Sequence, residues 1–575
     1  MSGLTAGLWL LGLYAAAPAL RTDARYGLTD RVRDALVLGV AIPLGLGLVH
    51  ALYSIACWIV LIVAIAAATW RDRSRSTARS SVATRPPYLL VAALALVAWP
   101  QLIRPLLEGD SLSYHLPNAA AWVQAHSIWT TATRYWWYPP ASELFASALY
   151  AASGPFAVPW SGLGALLLLG LRVNAWARAA SASPLLADAL AAATVTAYPI
   201  AIQGGTLQND VWLAAFFLEG LWLLHAPSAN AAARTLAVTA LIKPQGWMLA
   251  AIALVAMRGR RGVWLAAGAA LGLWVLHDAL LWQRAIVAPA TTMYGSFAGS
   301  SILAHGIPAL LLLGRVALVA SPFALVAIFA ALAGPFVAWR DGAGWAACGA
   351  ALLAVALPFG YATSVAQLAT GASLRLAIPA IAAGAALLAR PARRTASAAT
   401  ALLVASTVFG CIEVIATFWN DAPTRTALAV APLAAAIVWL AHARRQRWPV
   451  AVGFAAAAFA AGLVATRYTV DFYTDAFRIG NRTTGVYAWI AAHRPPDVGG
   501  WGLALGTVNV LAPQTRTIEL PDLDACAHAE RAHVLLVAVA ENDRTLAFNA
   551  ARLGAARACG RIVYDDGLAV VSGLF

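Results

Sequence analysis

Long apolar runs follow one another from residue 2 to about residue 466, and polar residues gather in the short gaps between them. Crossing a hydrocarbon core takes a helix of about 20 mostly apolar residues. Only helices or closed barrels satisfy their backbone polar groups there. The pattern predicts an all-α polytopic membrane protein with about thirteen core spans from residue 87 onward and two or three further spans before residue 71. The core spans fall at 87–107, 156–172, 184–201, 208–226, 262–282, 322–339, 343–361, 375–389, 396–418, 426–441 and 448–466, with two half-crossings inside 232–257. That last stretch is too short for two full spans, and "KPQG" (243–246) breaks it in the middle. The run 35–70 is too long for one helix and barely long enough for two. Residues 301–318 hold Arg315 and read as an interfacial helix, and 141–153 reads as an amphipathic one.

The pattern changes after residue 466. Tyr487, Ile490 and Ala491 recur at helical spacing. "GLALGTVNV", "HVLLVAVA" and "RIVYDDGLAVVSG" read as short buried strands separated by turns. The chain thus divides into extra N-terminal spans (1–70), a membrane core (71–466) with a loop over 108–155, and a small α/β domain (467–575).

Charge gives the predicted orientation. Of 575 residues 61% are hydrophobic and 11% charged, against about 25% charged in soluble chains. The net charge of +14 comes from arginines clustered at "RDRSRSTARS" (71–80), "LRVNAWARAA" (171–180), "RGRR" (258–261), "RPARR" (390–394) and "HARRQR" (442–447). Such clusters mark cytoplasmic connections rather than a nucleic-acid surface. By that rule the 108–155 loop and the C-terminal domain lie outside. An outer compartment permits a disulfide between Cys526 and Cys559; the alternative is two unpaired buried thiols.

Ionisable groups are costly at membrane depth, so each one there is a candidate for chemistry. Glu108 and Asp110, in "LLEGDSLSYHLPNAAAW", stand at the outward end of a span. Either carboxylate suits a base at the membrane surface or a helix cap. Tyr114, His115, Trp129, Trp137 and Tyr138 surround them with aromatic faces, which serve as sugar platforms or as an interfacial belt. Glu143 in "YPPASELF" is a third acid, on a rim or in a rigid turn. Asp210 in "GGTLQNDVW" reaches the same side from another loop, where two acids suit a polar substrate or a metal. The chain has 38 Arg and one Lys, Lys243, placed at the broken span. A compact ammonium there suits a phosphate or carboxylate partner. Arg375 begins a span at the outer edge, as a second cation for the same anion or as a residue reaching headgroups. His277 and Asp278 form a local polar pair or a site wall.

Taken in order, "EGDSLSYHLPNAAAWVQ", "YWWYPPASELF", "TLQNDVWLA", "LIKPQGWML" and "LRLAIPAI" resemble the GT-C membrane glycosyltransferases, and most closely family 39 with its protein mannosyltransferases and lipid A aminoarabinose transferases. The resemblance covers roughly residues 87–390, and the N-terminal spans depart from it. It implies a bacterial cytoplasmic-membrane enzyme that moves a sugar from a polyprenyl-phosphate donor to a hydroxyl on a glycan, lipid or protein, outside the cytoplasm and with inversion. It places Asp110 as catalytic base, and Lys243 and Arg375 as holders of the leaving phosphate. Glu108, Tyr114, His115, Tyr138, Glu143 and Asp210 become substrate-site residues. Relatives differ over a divalent metal, and Glu108 is either its ligand or a bystander that caps the loop. No Walker loop or G-x-G-x-x-G motif marks a nucleotide site. The rival readings are a transporter or flippase of polyprenyl-linked glycans, which usually shows repeated halves, and a surface polysaccharide polymerase or ligase. The C-terminal domain carries no catalytic set and is expected to act as a scaffold or acceptor guide.

Overall fold

A computed structural model of the 575-residue chain describes residues 2–21, 26–74, 87–102, 110–225, 228–285, 321–337, 342–356, 372–392, 396–418, 478–479, 482–483, 485–521, 524–540 and 546–573. Glu108, the 301–318 run and the spans expected at 426–441 and 448–466 lie outside the described residues.

Among the described residues thirteen α-helices precede residue 282: α1 (Ser2–Ala16), α2 (Leu28–Leu48), α3 (Ser54–Ser74), α4 (Tyr88–Leu102), α5 (Leu116–Gln124), α6 (Ala141–Ser153), α7 (Trp160–Ala179), α8 (Pro184–Thr196), α9 (Tyr198–Ala201), α10 (Asp210–His225), α11 (Ala229–Ala240), α12 (Pro244–Ala256) and α13 (Arg261–Leu281). Further helices cover Pro322–Leu332, Ala343–Ala356, Ile378–Ala392 and Ala396–Phe418. Four described helical stretches are long and apolar enough to cross a membrane: Gly3–Leu20, Ser54–Arg71, Pro155–Ala179 and Arg261–Arg284. Shorter apolar helices accompany them, and proline explains some of the shortening. The 184–201 span is split between α8 and α9 at Ala197, two residues before Pro199. The 322–339 span breaks where Pro335 follows Gly334.

The 35–70 run divides between α2 and α3, and α2 is no appendage. It packs on α6 and α7, and a Cβ at Gly39 would come within 2.3 Å of the Phe145 ring. The 141–153 stretch departs from expectation. α6 is buried on nearly every side, including its Ser142, Glu143 and Ser147, because α1, α2, α3 and α5 surround it. The 171–180 cluster is not a connection either: its first nine residues are the last turns of α7, and Arg172 is buried. A side-chain partner explains this. Glu219 of α10, itself fully buried, takes two bonds from the Arg172 guanidinium, one of them from Nη2 at 2.7 Å. Arg33 of α2 also donates to Glu219 (3.2 Å), to Asp34 (2.9 Å) and to Asp30 (3.0 Å). Arg172 lies 4.7 Å from the Trp222 ring.

The broken span is resolved into α11 and α12, joined through Leu241–Lys243. Pro244 opens α12, where its missing N–H costs nothing. A Cβ at Gly246 would meet the Thr239 carbonyl oxygen at 2.1 Å, so "KPQG" needs glycine for the close crossing of the two helices. Asn209 donates to the buried Ile242 carbonyl at 3.2 Å.

In the C-terminal region a short antiparallel pair, β1 (Arg478–Ile479) and β2 (Arg482–Thr483), precedes a five-stranded sheet. Its strands are β3 (Asp497–Gly500), β4 (Arg516–Glu519), β5 (Leu535–Val539), β6 (Arg561–Asp565) and β7 (Ala569–Gly573), in the order β4-β3-β5-β7-β6. β3 runs parallel to β4 and β5, and β7 runs antiparallel to β5 and β6. "HVLLVAVA" and "RIVYDDGLAVVSG" hold strands as expected. "GLALGTVNV" does not: it is the helix Gly502–Leu511. Two parallel neighbours need a crossover, and a helix provides it between β3 and β4. An apolar run of that length reads equally well as buried strand or buried helix.

Cys526 and Cys559 form the disulfide, tying the Ala525–Ala532 helix to the end of the Leu546–Ala558 helix across 33 residues. A closed loop of that length restricts the unfolded chain by about 3–4 kcal/mol. The variant Cys526→Ala should lower the stability of this domain by that order. Thermal unfolding of the purified chain followed by near-UV circular dichroism would check it, and an unchanged midpoint would show that the bridge adds nothing.

Candidate active site

The turn after residue 109 brings the first acid into place. Asp110 leads into a widened, π-type helical turn, Ser111–His115, which continues as α5. The Asp110 carboxylate caps no helix. It pairs with the Arg375 guanidinium, from the turn that opens the Ile378–Ala392 helix. These side chains are 22% and 25% exposed, so the pair sits at the boundary between solvent and interior. Burial alone would raise the Asp110 carboxyl; Arg375 outweighs it and, with His115 and Lys243, holds the group below the usual carboxylate range.

A second pair lies alongside. Asp210, the first residue of α10, meets the Lys243 ammonium at the α11–α12 break. Gln203 steadies Asp210 with its amide nitrogen (3.4 Å) and accepts the Val211 N–H through its amide oxygen (3.3 Å). The two pairs form one electrostatic unit: Arg375 feels Asp210, and Lys243 feels Asp110 and Arg375. Two carboxylates and two cations thus balance. Beside them lies a cavity of only about 10 Å³, room for about one water, lined by Asp210, Lys243 and Gln245 on one side and Leu213, Leu249 and Leu376 on the other.

The remaining expected residues separate into three groups. Tyr114, Tyr135 and Tyr138 cluster, with ring centroids 4.6 Å apart for Tyr114–Tyr135 and 5.8 Å for Tyr114–Tyr138. His115 and Glu143 are both buried and hydrogen-bonded at 2.5 Å, with the Ser142 hydroxyl donating to the other Glu143 oxygen at 2.8 Å. Glu143 is therefore an internal partner of the histidine rather than an acid on an open rim. His277 and Asp278 bond each other at 3.0 Å, and His277 also reaches the Ile128 carbonyl at 3.1 Å and stacks on Trp274. They brace the loop rather than join the ion pairs.

Gln203 is not among the expected residues, although its position seven residues before Asp210 in "QGGTLQND" marks a polar turn. Ser111, whose hydroxyl accepts the Leu207 N–H at 3.0 Å and so joins the two acidic loops, carries no signal in the sequence. Among the described residues no group of three or more His, Cys, Asp or Glu side chains is arranged to hold a metal ion.

Helices of membrane-crossing length beside a charged cluster, with an α/β domain appended, define an integral membrane protein with a polar site beside its aromatic loop. No family model and no curated protein matches the chain. Among solved structures it is similar to the apo crystal structure of ArnT from Cupriavidus metallidurans, at 16% identity and a TM-score of 0.42, over 84% of this chain and 96% of that one.

Proposed function

We propose that this chain is a membrane glycosyltransferase that moves a sugar from a polyprenyl-phosphate donor to a hydroxyl acceptor, with inversion and with Asp110 as base. The balanced quartet of Asp110, Arg375, Asp210 and Lys243 carries the reading. A phosphate ester asks for such paired cations at its head. In the structure each cation rests on a carboxylate. A donor phosphate draws Arg375 and Lys243 to itself and leaves the carboxylates free of their partners. Asp110 then takes the proton of the acceptor hydroxyl as its oxygen bonds to the anomeric carbon. The bond from that carbon to the phosphate oxygen breaks on the opposite face. Negative charge grows on the departing phosphate, so the fixed cations stabilise the transition state more than the ground state. Tyr114 and Tyr138 offer ring faces to the sugar, and His115 with Glu143 holds the wall behind them. On the orientation given by the arginine clusters, this happens on the outer side of the cytoplasmic membrane.

The test uses the purified full-length chain, a radiolabelled polyprenyl-phosphate sugar and membrane extract. The expected result is label moving from the polyprenyl fraction into a glycan, lipid or protein fraction. Label that stays on the donor, or that crosses a vesicle membrane while still attached to the polyprenyl carrier, would overturn the reading.

A further inference from the structure

We infer that the C-terminal domain sets the position of the turn that carries Asp110, with Gly506 and Glu519 as its positioning residues. This inference rests on the proposed role of Asp110, and its first measurement does not.

The Gly502–Leu511 helix lies directly on the Ser111–His115 turn. A Cβ at Gly506 would meet the Leu112 carbonyl oxygen at 2.0 Å and its Cα at 2.8 Å. Those atoms belong to the backbone two residues after Asp110, so they cannot rotate away as a flexible side chain would. Glycine at 506 is what lets the two elements touch, although alanine is the better helix former. The apolar packing continues outward, where Leu112, Leu116 and Tyr150 from the membrane part form one buried cluster with Val510.

A second set of contacts fixes the far side of the same loop. The Glu519 carboxylate at the end of β4 accepts the Arg134 N–H at 2.7 Å and pairs with its guanidinium at 3.1 Å. The Glu519 N–H donates to the Ala132 carbonyl at 2.7 Å. Gln124, the last residue of α5, donates to the Thr515 carbonyl at 2.8 Å and accepts the Thr517 N–H at 3.3 Å. Backbone bonds of this kind fix register rather than merely hold surfaces together. The domain therefore grips the loop on both sides of the Tyr114–Tyr135–Tyr138 cluster. Its buried, paired Glu519 and its close-approach glycine face the loop and not solvent.

Hydrogen exchange of the full-length chain, read by mass spectrometry on peptides covering 111–116, comes first. Gly506→Ala should speed exchange there at least tenfold while peptides from β5 and β7 stay protected. Glu519→Ala, which leaves the helix contact intact, should speed exchange in the 130–136 peptides, and Glu519→Gln, which keeps an oxygen for the Arg134 N–H, should restore most of that protection. In the transfer assay Gly506→Ala should lower kcat at least tenfold with the donor KM unchanged within twofold. Wild-type exchange at 111–116 in Gly506→Ala, or a kcat that falls only in step with the folded fraction, would overturn the inference. If wild type transfers no sugar, the exchange measurements still decide the positioning, and only the glycosyltransferase reading falls.

Discussion

Asp110→Asn is expected to lower kcat for sugar transfer by about 10²–10⁴-fold, the range a positioned general base contributes. The amide has nearly the volume of the carboxylate but cannot take the hydroxyl proton. It also releases Arg375 from its only described carboxylate pair, so donor affinity should hold or improve while turnover collapses. A loss of phosphate binding would give the opposite division, in KM rather than in kcat. The wild-type pH profile adds a check with a definite sign. The base works ionised, and its folded pKa lies below the usual carboxylate value, with Arg375 outweighing burial. In kcat/KM, which reports the free protein with Arg375 in place, activity should therefore persist as pH falls to about 4 and disappear only below that. Wild-type turnover in Asp110→Asn would remove Asp110 from the mechanism.

Glu219→Ala is expected to destabilise the chain by about 3–5 kcal/mol, the cost of leaving a buried partner charge unpaired. Glu219 is fully buried, takes two bonds from Arg172 and pairs with Arg33 as well. Glu219→Gln should recover part of the loss through its amide oxygen. Replacing Glu219 and Arg172 together by leucine and methionine should recover more, because the buried Arg172 guanidinium goes with its partner while Arg33 keeps Asp30 and Asp34. Thermal unfolding in detergent micelles would measure all three, and a shift under about 1 kcal/mol for Glu219→Ala would show that the network does not carry α2, α7 and α10. Asp210 and Glu219 share α10 nine residues apart, about 14 Å along the axis. Loosening one end of that helix is thus expected to disturb the Asp210–Lys243 pair at the other.

The charged residues of the site stand out in the sequence because membrane depth makes them costly. Lys243 is conspicuous as one lysine among 38 arginines, and Asp110, Asp210 and Arg375 interrupt or edge apolar runs. Their pairing does not stand out. Asp110 and Arg375 are 265 residues apart, and no local rule couples them. Glu219 was passed over because a single acid inside "AAFFLEGLWLL" has no visible partner until α2 and α7 pack against it. Arg172 misled in the opposite direction, since the rule that assigns arginines to cytoplasmic connections weighs charge without knowing whether a buried carboxylate waits for it. Glu143 suffered the same way, its partner His115 lying 28 residues earlier. In the C-terminal domain β3 and β4 escaped notice because four-residue strands such as "DVGG" and "RTIE" bury too little to show an apolar run.

The interlocking of α2 with the rest bears on how this chain can be handled. Residues 1–70 invite removal, since they precede the stretch of family-like motifs. Cutting there would strip Arg33 from Glu219 and bare the Phe145 ring that Gly39 covers. Phe145 sits two residues after Glu143, so the wound would open directly behind the His115 pair. A shortened version of this protein would be a different molecule at its centre, and expression or reconstitution should begin from the whole chain.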